Sequence, residues 1–178
     1  VGRVETSWTA NCLAIGLAQG FIEPLEATAL HLVQATVEGF IAAHGTGTRD
    51  AFNAAIARRY EGVRDYIVAH YRLNRRDGVF WRDNAANDHL SDDLKAIMTA
   101  WFTGRDVAEV IAARDLGGYY APMSWEVLLA GYGTFPEAAR LRSAPPVADL
   151  AAVDAFLDGC LINFPDHQAA LDDQRRMP

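Results

Sequence analysis

The sequence predicts a mainly α chain, with a short strand and a tight turn over residues 1–30 and helices over residues 31–178. Three observations predict it. From Leu30 onward apolar residues recur at steps of three and four, the period of an amphipathic helix. Extended character is confined to one short apolar run, Cys12–Leu17. Capping residues and glycine stops punctuate the later chain at helix-length intervals.

Taken in order, the run Cys12–Leu17 reads as a strand, and Gly16 and Gly20 bound the turn that follows. Leu30, Val33, Val37, Phe40 and Ile41 form one long helix that Gly45–Gly47 ends. Thr48 is a candidate N-cap for a second, in which Phe52, Ile56, Tyr60, Val63, Ile67 and Tyr71 make the stripe. Asp77-Gly78 breaks it, and Val79–Trp81 reads as a short aromatic stretch before a polar loop over 82–88. Ser91 caps a helix carrying Leu94, Ile97, Met98, Trp101 and Phe102, with the last two in the core, and Gly104 stops it. A short helix over Val107–Ile111 and a flexible loop through Gly117-Gly118-Tyr119-Tyr120 lead to a helix around Ser124–Leu129. Pro145-Pro146 is a rigid linker, and Leu150 to Cys160 form a last helix ahead of a polar tail. The helical region is expected to be a single structural unit, and the opening strand to belong to a sheet whose other strands lie outside this chain.

Composition narrows the function. The chain has 178 residues, 51% hydrophobic and 22% charged, enough for a sizeable core. A net charge of -7 argues against nucleic acid or an anionic membrane as partner, since phosphates would be repelled. No apolar run approaches the ~20 residues of a membrane-spanning helix. Cys12 and Cys160 sit in apolar runs outside any C-x-x-C pattern, which reads as two buried, reduced thiols in a cytoplasmic protein. His31, His44, His70, His89 and His167 have no metal-ligand spacing and read as helix-surface residues, so no metal is expected. Ser124 lacks the G-x-S-x-G frame of a hydrolase nucleophile. The exposed edge of the opening strand predicts association, a homodimer being one form of it.

The chemistry concentrates between Trp8 and Leu30. Pro24 lacks an amide and cannot sit deep in a helix. Thr28 is then the natural N-cap of the first long helix, leaving the Thr28 and Ala29 amides pointing ahead of it, where the helix dipole favours an anion. Glu26 lies among Phe21, Ile22, Leu25 and Leu30, and Glu23 reads as a structural residue accepting amides in the turn. A carboxylate among apolar residues acquires a raised pKa and can exchange a proton near neutrality. On spacing alone, an ordinary first-turn glutamate fits Glu26 better.

The stretch W-x-x-N-C-x-A-I-G-L-A-x-G-F-x-E-P-L-E-x-T, from Trp8 to Thr28, resembles the signature of the flavin-dependent tryptophan halogenase family. Phe80-Trp81-Arg82, the segment Ser124-Trp125 through Gly133 to Pro136, and Phe164-Pro165-x-His167 follow in the family's order. The family's G-x-G-x-x-G phosphate loop, its W-x-W-x-I-P motif and its tunnel lysine have no counterpart here. The chain, beginning at Val1, resembles the C-terminal part of such an enzyme and is expected to be inactive alone.

The resemblance implies FAD, reduced by a separate flavin reductase, together with oxygen and chloride or bromide. Hypohalous acid would reach an electron-rich aromatic substrate, tryptophan or indole-like, through a tunnel built with the N-terminal part of the same protein. Glu26 takes the family's essential glutamate position, and the amides of Thr28 and Ala29 its halide site. Gly16, Leu17, Ala27 and Leu30 fall beside the flavin, with Gly16 and Gly20 allowing close approach. Tyr119, Tyr120, Ser124 and Trp125 fall where the family holds its substrate ring, although tryptophan-specific members carry a phenylalanine-tryptophan pair there. The family usually has serine and glycine where this chain has Ala27 and Ala29, and alanine is strained wherever a positive φ is required. Two other classes fit the residues: a non-catalytic helical module that binds a protein partner, and a flavin monooxygenase relative without halide chemistry.

Overall fold

A computed structural model describes residues 2–140, 151–161 and 166–176, which fall into two compact units, Val1–Leu141 and Arg142–Pro178. The chain is mainly α, as its periodicity predicts. The extended part is shorter than Cys12–Leu17 and pairs locally. β1 (Gly2–Arg3) runs antiparallel to β4 (Gly20–Phe21), and β2 (Trp8–Thr9) to β3 (Cys12–Leu13), with Trp8 opposite Leu13. Gly16, in the left-handed region at φ 62°, turns the chain into a 3-10 segment, Gly16–Ala18, where a longer strand was expected. At Gly20 the close approach is to the neighbouring strand: a Cβ there would lie 2.8 Å from that of Arg3.

The two longest helices make the frame. α1 (Thr28–Ala43) and α2 (Arg49–Arg72) pack together across a short loop. The stripe expected on α2 is the buried one, from Phe52 through Ile56, Tyr60 and Val63 to Ile67. On α1 the expectation fails. The helix is apolar on most sides, so periodicity alone does not select a face. Leu32, Thr36 and Ala43 are buried, while Leu30 and Ile41 are 73% and 69% exposed.

α2 serves two cores. Its first four turns join Trp8, Ile22 and Leu32 in one cluster; Tyr66, Ala69 and Leu73 join Leu94, Ile97, Trp125 and Leu129 in the other. Each fully buried aliphatic side chain contributes about 1.5–3 kcal/mol of transfer free energy. The second core is built from α4 (Asp92–Phe102), α5 (Val107–Ala113) and α6 (Pro122–Gly131). Ser91 caps α4 as expected, accepting from the Leu94 amide at 3.0 Å, and its hydroxyl also donates to the buried Asp65 on α2. Asp106 caps α5, and Pro122 opens α6.

Other expectations are corrected. Residues 79–86 form a helix, α3 (Val79–Ala86), rather than a short aromatic stretch running into a loop. Trp101 packs at the edge of the second core with its indole N–H on the Thr134 carbonyl, but Phe102 is exposed. Cys12 is exposed, because a two-residue hairpin strand has little to bury against, and Cys160 is half-buried. His70 is half-buried, edge-on to Tyr66 and 3.3 Å from the Tyr132 hydroxyl.

The second unit contains α7 (Ala151–Leu161), the expected last helix, and α8 (His167–Arg176), where the sequence reads as a polar tail. Asp166 accepts from the Ala169 amide at 3.0 Å, the capping contact that starts α8. Pro145-Pro146 and Phe164-Pro165 lie outside the described residues.

Candidate active site

The turn between β4 and α1 closes through short local bonds. After Pro24 the chain makes a single 3-10 turn, Leu25–Ala27, with Glu26 at its centre. Ala27 is left-handed, at φ 56° and ψ 24°, and occupies the N-cap position of α1 without a side-chain cap. Thr28 is therefore not the cap. It is the first helical residue, and both its amide and its hydroxyl donate to the Leu25 carbonyl. Its amide is thus engaged within the turn. Ala29, the second helical residue, sits where helix geometry supplies no intrahelical acceptor for the amide. The positive φ falls on Ala27, not on Ala29.

Four of the residues expected beside a flavin or halide line one cavity of about 250 Å³: Gly16, Leu17, Ala29 and Leu30, with Phe21 and Val33 completing its apolar wall. Beneath it lies a polar knot absent from any sequence expectation. Gln19 is 1% exposed; its side-chain amide donates to Ser7 Oγ at 3.1 Å, and its Oε1 accepts from Thr36 at 3.1 Å and Tyr60 at 3.2 Å. Its backbone accepts from Val4 and donates to Gly16. One side chain thereby ties the 3-10 segment to the loop between β1 and β2, to α1 and to α2. The available signal was a lone glutamine in an otherwise apolar stretch.

The expected substrate residues separate. Tyr120 comes to the turn, its hydroxyl 3.4 Å from that of Thr28. Because Thr28 already donates to Leu25, Tyr120 is the donor. Its ring stacks on Tyr66, centroids 3.8 Å apart and planes 18° from parallel, and Trp125 meets both rings edge-on. Trp125 is 2% exposed and belongs to the core behind them. Ser124 takes part through its backbone, its carbonyl accepting from the Tyr66 hydroxyl at 3.2 Å.

Tyr119 turns away to α2, where its ring lies so close to Gly62 that a Cβ there would sit 2.2 Å from it. Nor is its loop free. Arg58 pairs with Asp115 at 3.3 Å, and Arg59 donates to the Gly118 carbonyl at 2.7 Å.

The Glu23 backbone carbonyl accepts the Leu25 amide at 2.8 Å, but its carboxylate takes no turn amide among the described contacts. Its two carboxylate oxygens share the hydroxyl of Tyr71, with Oε2 at 2.5 Å. That hydrogen bond, with lesser help from desolvation and the carboxylate charge, raises the Tyr71 phenol above its ordinary pKa. Tyr71 in turn stacks on Trp81, centroids 5.7 Å apart.

Residues 1–146 match the tryptophan halogenase family. The chain belongs to the flavin-dependent tryptophan halogenase family. It is 37% identical over 139 residues to a 7-chloro-L-tryptophan 6-halogenase of Kutzneria sp. (strain 744), covering 75% of this chain and 26% of that enzyme. It is 31% identical over 157 residues to a tryptophan 6-halogenase of Streptomyces toxytricini, covering 83% of this chain and 28% of that one. Among solved halogenases, the flavin-dependent enzyme from Brevundimonas sp. BAL3 superimposes with a TM-score of 0.69 at 30% identity, over 97% of this chain and 36% of its own. The chain thus spans between a quarter and two-fifths of these relatives' lengths. No described helix is long and apolar enough to cross a membrane.

Proposed function

We propose that this chain supplies the catalytic glutamate, the halide turn and part of the substrate surround of a flavin-dependent halogenase acting on tryptophan or another indole-like ring. The observation that carries the proposal is the convergence at one end of α1: the turn bearing Glu26 leads directly into Ala29 and Leu30, which line the cavity with Gly16 and Leu17, and Thr28 at its end is bonded to Tyr120. The cavity suits a flavin ring system. It is walled by aliphatic side chains, by the rings of Phe21 and Tyr60 and by two glycines, and no basic residue lines it that would instead hold a phosphate. Bound there in its reduced form, FAD with oxygen supplies the oxidising power that converts chloride or bromide into an electrophilic halogen.

This chain's residues then do the rest. The N-terminus of α1, with the Ala29 amide and the positive end of the helix dipole, attracts the halide. As the new carbon–halogen bond forms, the ring carbon must lose its proton, and Glu26 is the base that takes it, or that polarises the oxidant beforehand. Gly16, Leu17 and Leu30 exclude water from the cofactor side, Ala27 sets the turn beside it, and Tyr120 shapes the substrate side, with Tyr119 and Ser124 holding its loop. Trp125 acts from the core, by holding Tyr66 and Tyr120 in place. The tunnel lysine and the phosphate loop come from the family's N-terminal part, and the reductant from a separate reductase. The protein is read as cytoplasmic, and the chain alone as inactive.

The engaged Thr28 amide favours one second reading, a flavin monooxygenase relative without halide chemistry. The test is the full-length protein with a flavin reductase, NADH, oxygen and bromide against indoles and phenols. A bromine isotope doublet in the product mass spectrum is the expected result. Bromide-independent oxygenation would support the second reading instead.

A further inference from the structure

A turn of this composition does not hold its own shape. Between Glu23 and Thr28 the backbone closes only short-range bonds, Leu25 N–H to Glu23 and Thr28 N–H to Leu25. Pro24 offers no amide, and the left-handed Ala27 is strained by about 1–2 kcal/mol. Yet the position of Glu26 and the direction of the α1 N-terminus depend on it.

Two phenols reach this turn from the helical part of the chain, one at each end. Tyr71, at the end of α2, donates to both oxygens of Glu23. Tyr120, just ahead of α6, donates to Thr28. Each ring is fixed by stacking, Tyr71 on Trp81 and edge-on to Phe80, Tyr120 on Tyr66 and edge-on to Trp125. A tyrosine has only two side-chain torsions, so a stacked ring delivers its hydroxyl with little freedom. Stacking on Tyr66 also occupies one face of Tyr120, which therefore cannot clasp a substrate ring on both.

We infer that Tyr71 and Tyr120 are positioning residues that clamp the two ends of the Glu26 turn, Tyr71 setting the glutamate side and Tyr120 the halide side. The assignment of sides rests on the proposed halogenase reading; the clamp itself does not. Tyr120 would link the aromatic cluster to the halide turn, so that packing of the one is felt by the other.

The test uses Tyr71→Phe and Tyr120→Phe in the full-length protein, because phenylalanine keeps the stacked ring and removes only the hydroxyl. Amide hydrogen exchange over residues 25–29 is expected to quicken about tenfold in each variant, the loss of one hydrogen bond, while exchange in α4 and α5 stays unchanged. With bromide turnover, Tyr120→Phe is expected to raise the bromide KM about tenfold at nearly unchanged kcat. Tyr71→Phe is expected to lower kcat about tenfold at unchanged bromide KM. Unchanged exchange at the turn overturns the clamp. Quickened exchange with equal losses in both kinetic constants for both variants overturns the division into sides. Quickened exchange in a protein whose wild type never brominates leaves the clamp standing and overturns the halogenase reading.

Discussion

The hydroxyls of Thr28 and Tyr120, 92 positions apart in the sequence, lie 3.4 Å from one another. That contact joins the first residue of α1 to the loop before α6. It makes the turn around Glu26 and the aromatic cluster of Tyr66, Tyr120 and Trp125 parts of one site. The loop reaches the turn because Arg58, Arg59 and Gly62 of α2 hold it there.

The hold at Gly62 can be tested by a single methyl group. Gly62→Ala would drive a Cβ into the Tyr119 ring, which must move or carry the loop with it. The cost is expected at about 1–3 kcal/mol, the range for overpacking a close contact. Denaturant unfolding measures it, and turnover should fall as Tyr120 shifts. A variant with wild-type stability and turnover would show that Tyr119 moves aside freely.

Gln19→Leu is expected to destabilise the protein by roughly 2–4 kcal/mol. Leucine matches the volume but leaves Ser7 and Tyr60 with buried hydroxyls short of a partner, each costing on the order of 1 kcal/mol or more, and Thr36 with the Leu32 carbonyl alone. Urea titration followed by circular dichroism reads it. A change under 1 kcal/mol would mean that the Ser7 and Tyr60 hydroxyls find other partners.

Asp65 gives a pH signature of opposite sign to most surface carboxylates. Burial raises its pKa, against the lowering effect of the Ser91 hydrogen bond and Arg64. A carboxylate whose folded pKa lies above its unfolded one contributes stability at low pH and loses it as pH rises through that interval. Asp65→Asn keeps an acceptor for Ser91 and removes the charge. Its stability relative to wild type is expected to climb from the ordinary carboxylate range up to the raised pKa and then level off. A flat difference across that interval in pH-dependent thermal melts would contradict this.

Ala27→Gly relieves the left-handed alanine, against the extra backbone freedom glycine has when unfolded. A net gain of about 0.5–1 kcal/mol is expected, with the Glu26 turn unchanged. Loss of stability would place the strain elsewhere.

Much of this was legible in the residues. The period of α2, the Ser91 cap and the glycine stops follow local rules, and the structure keeps them. The signature from Trp8 to Thr28 located the turn. What was not legible depends on contacts far apart in sequence. α1 is apolar on most sides, so only packing against Trp8, Phe52 and Tyr60 decides that Leu32 and Thr36 face inward. The Thr28 cap failed because the chain adds a 3-10 turn before the helix, moving the cap to Ala27. Glu23 looked suited to amides, but its partner is a phenol 48 residues on. Trp125 and Tyr119 look alike as aromatic candidates; their burial against Tyr66 and Gly62 exists only once the helices pack.

The proposed function turns on Glu26 as the catalytic carboxylate. The most direct measurement compares wild type with Glu26→Gln in the full-length protein, supplied with a flavin reductase, NADH, oxygen and bromide, by product mass spectrometry and flavin binding. Glutamine keeps the shape and removes the base. A brominated product is expected from wild type, none from Glu26→Gln, and flavin bound equally by both. Unchanged bromination by Glu26→Gln would contradict that catalytic role.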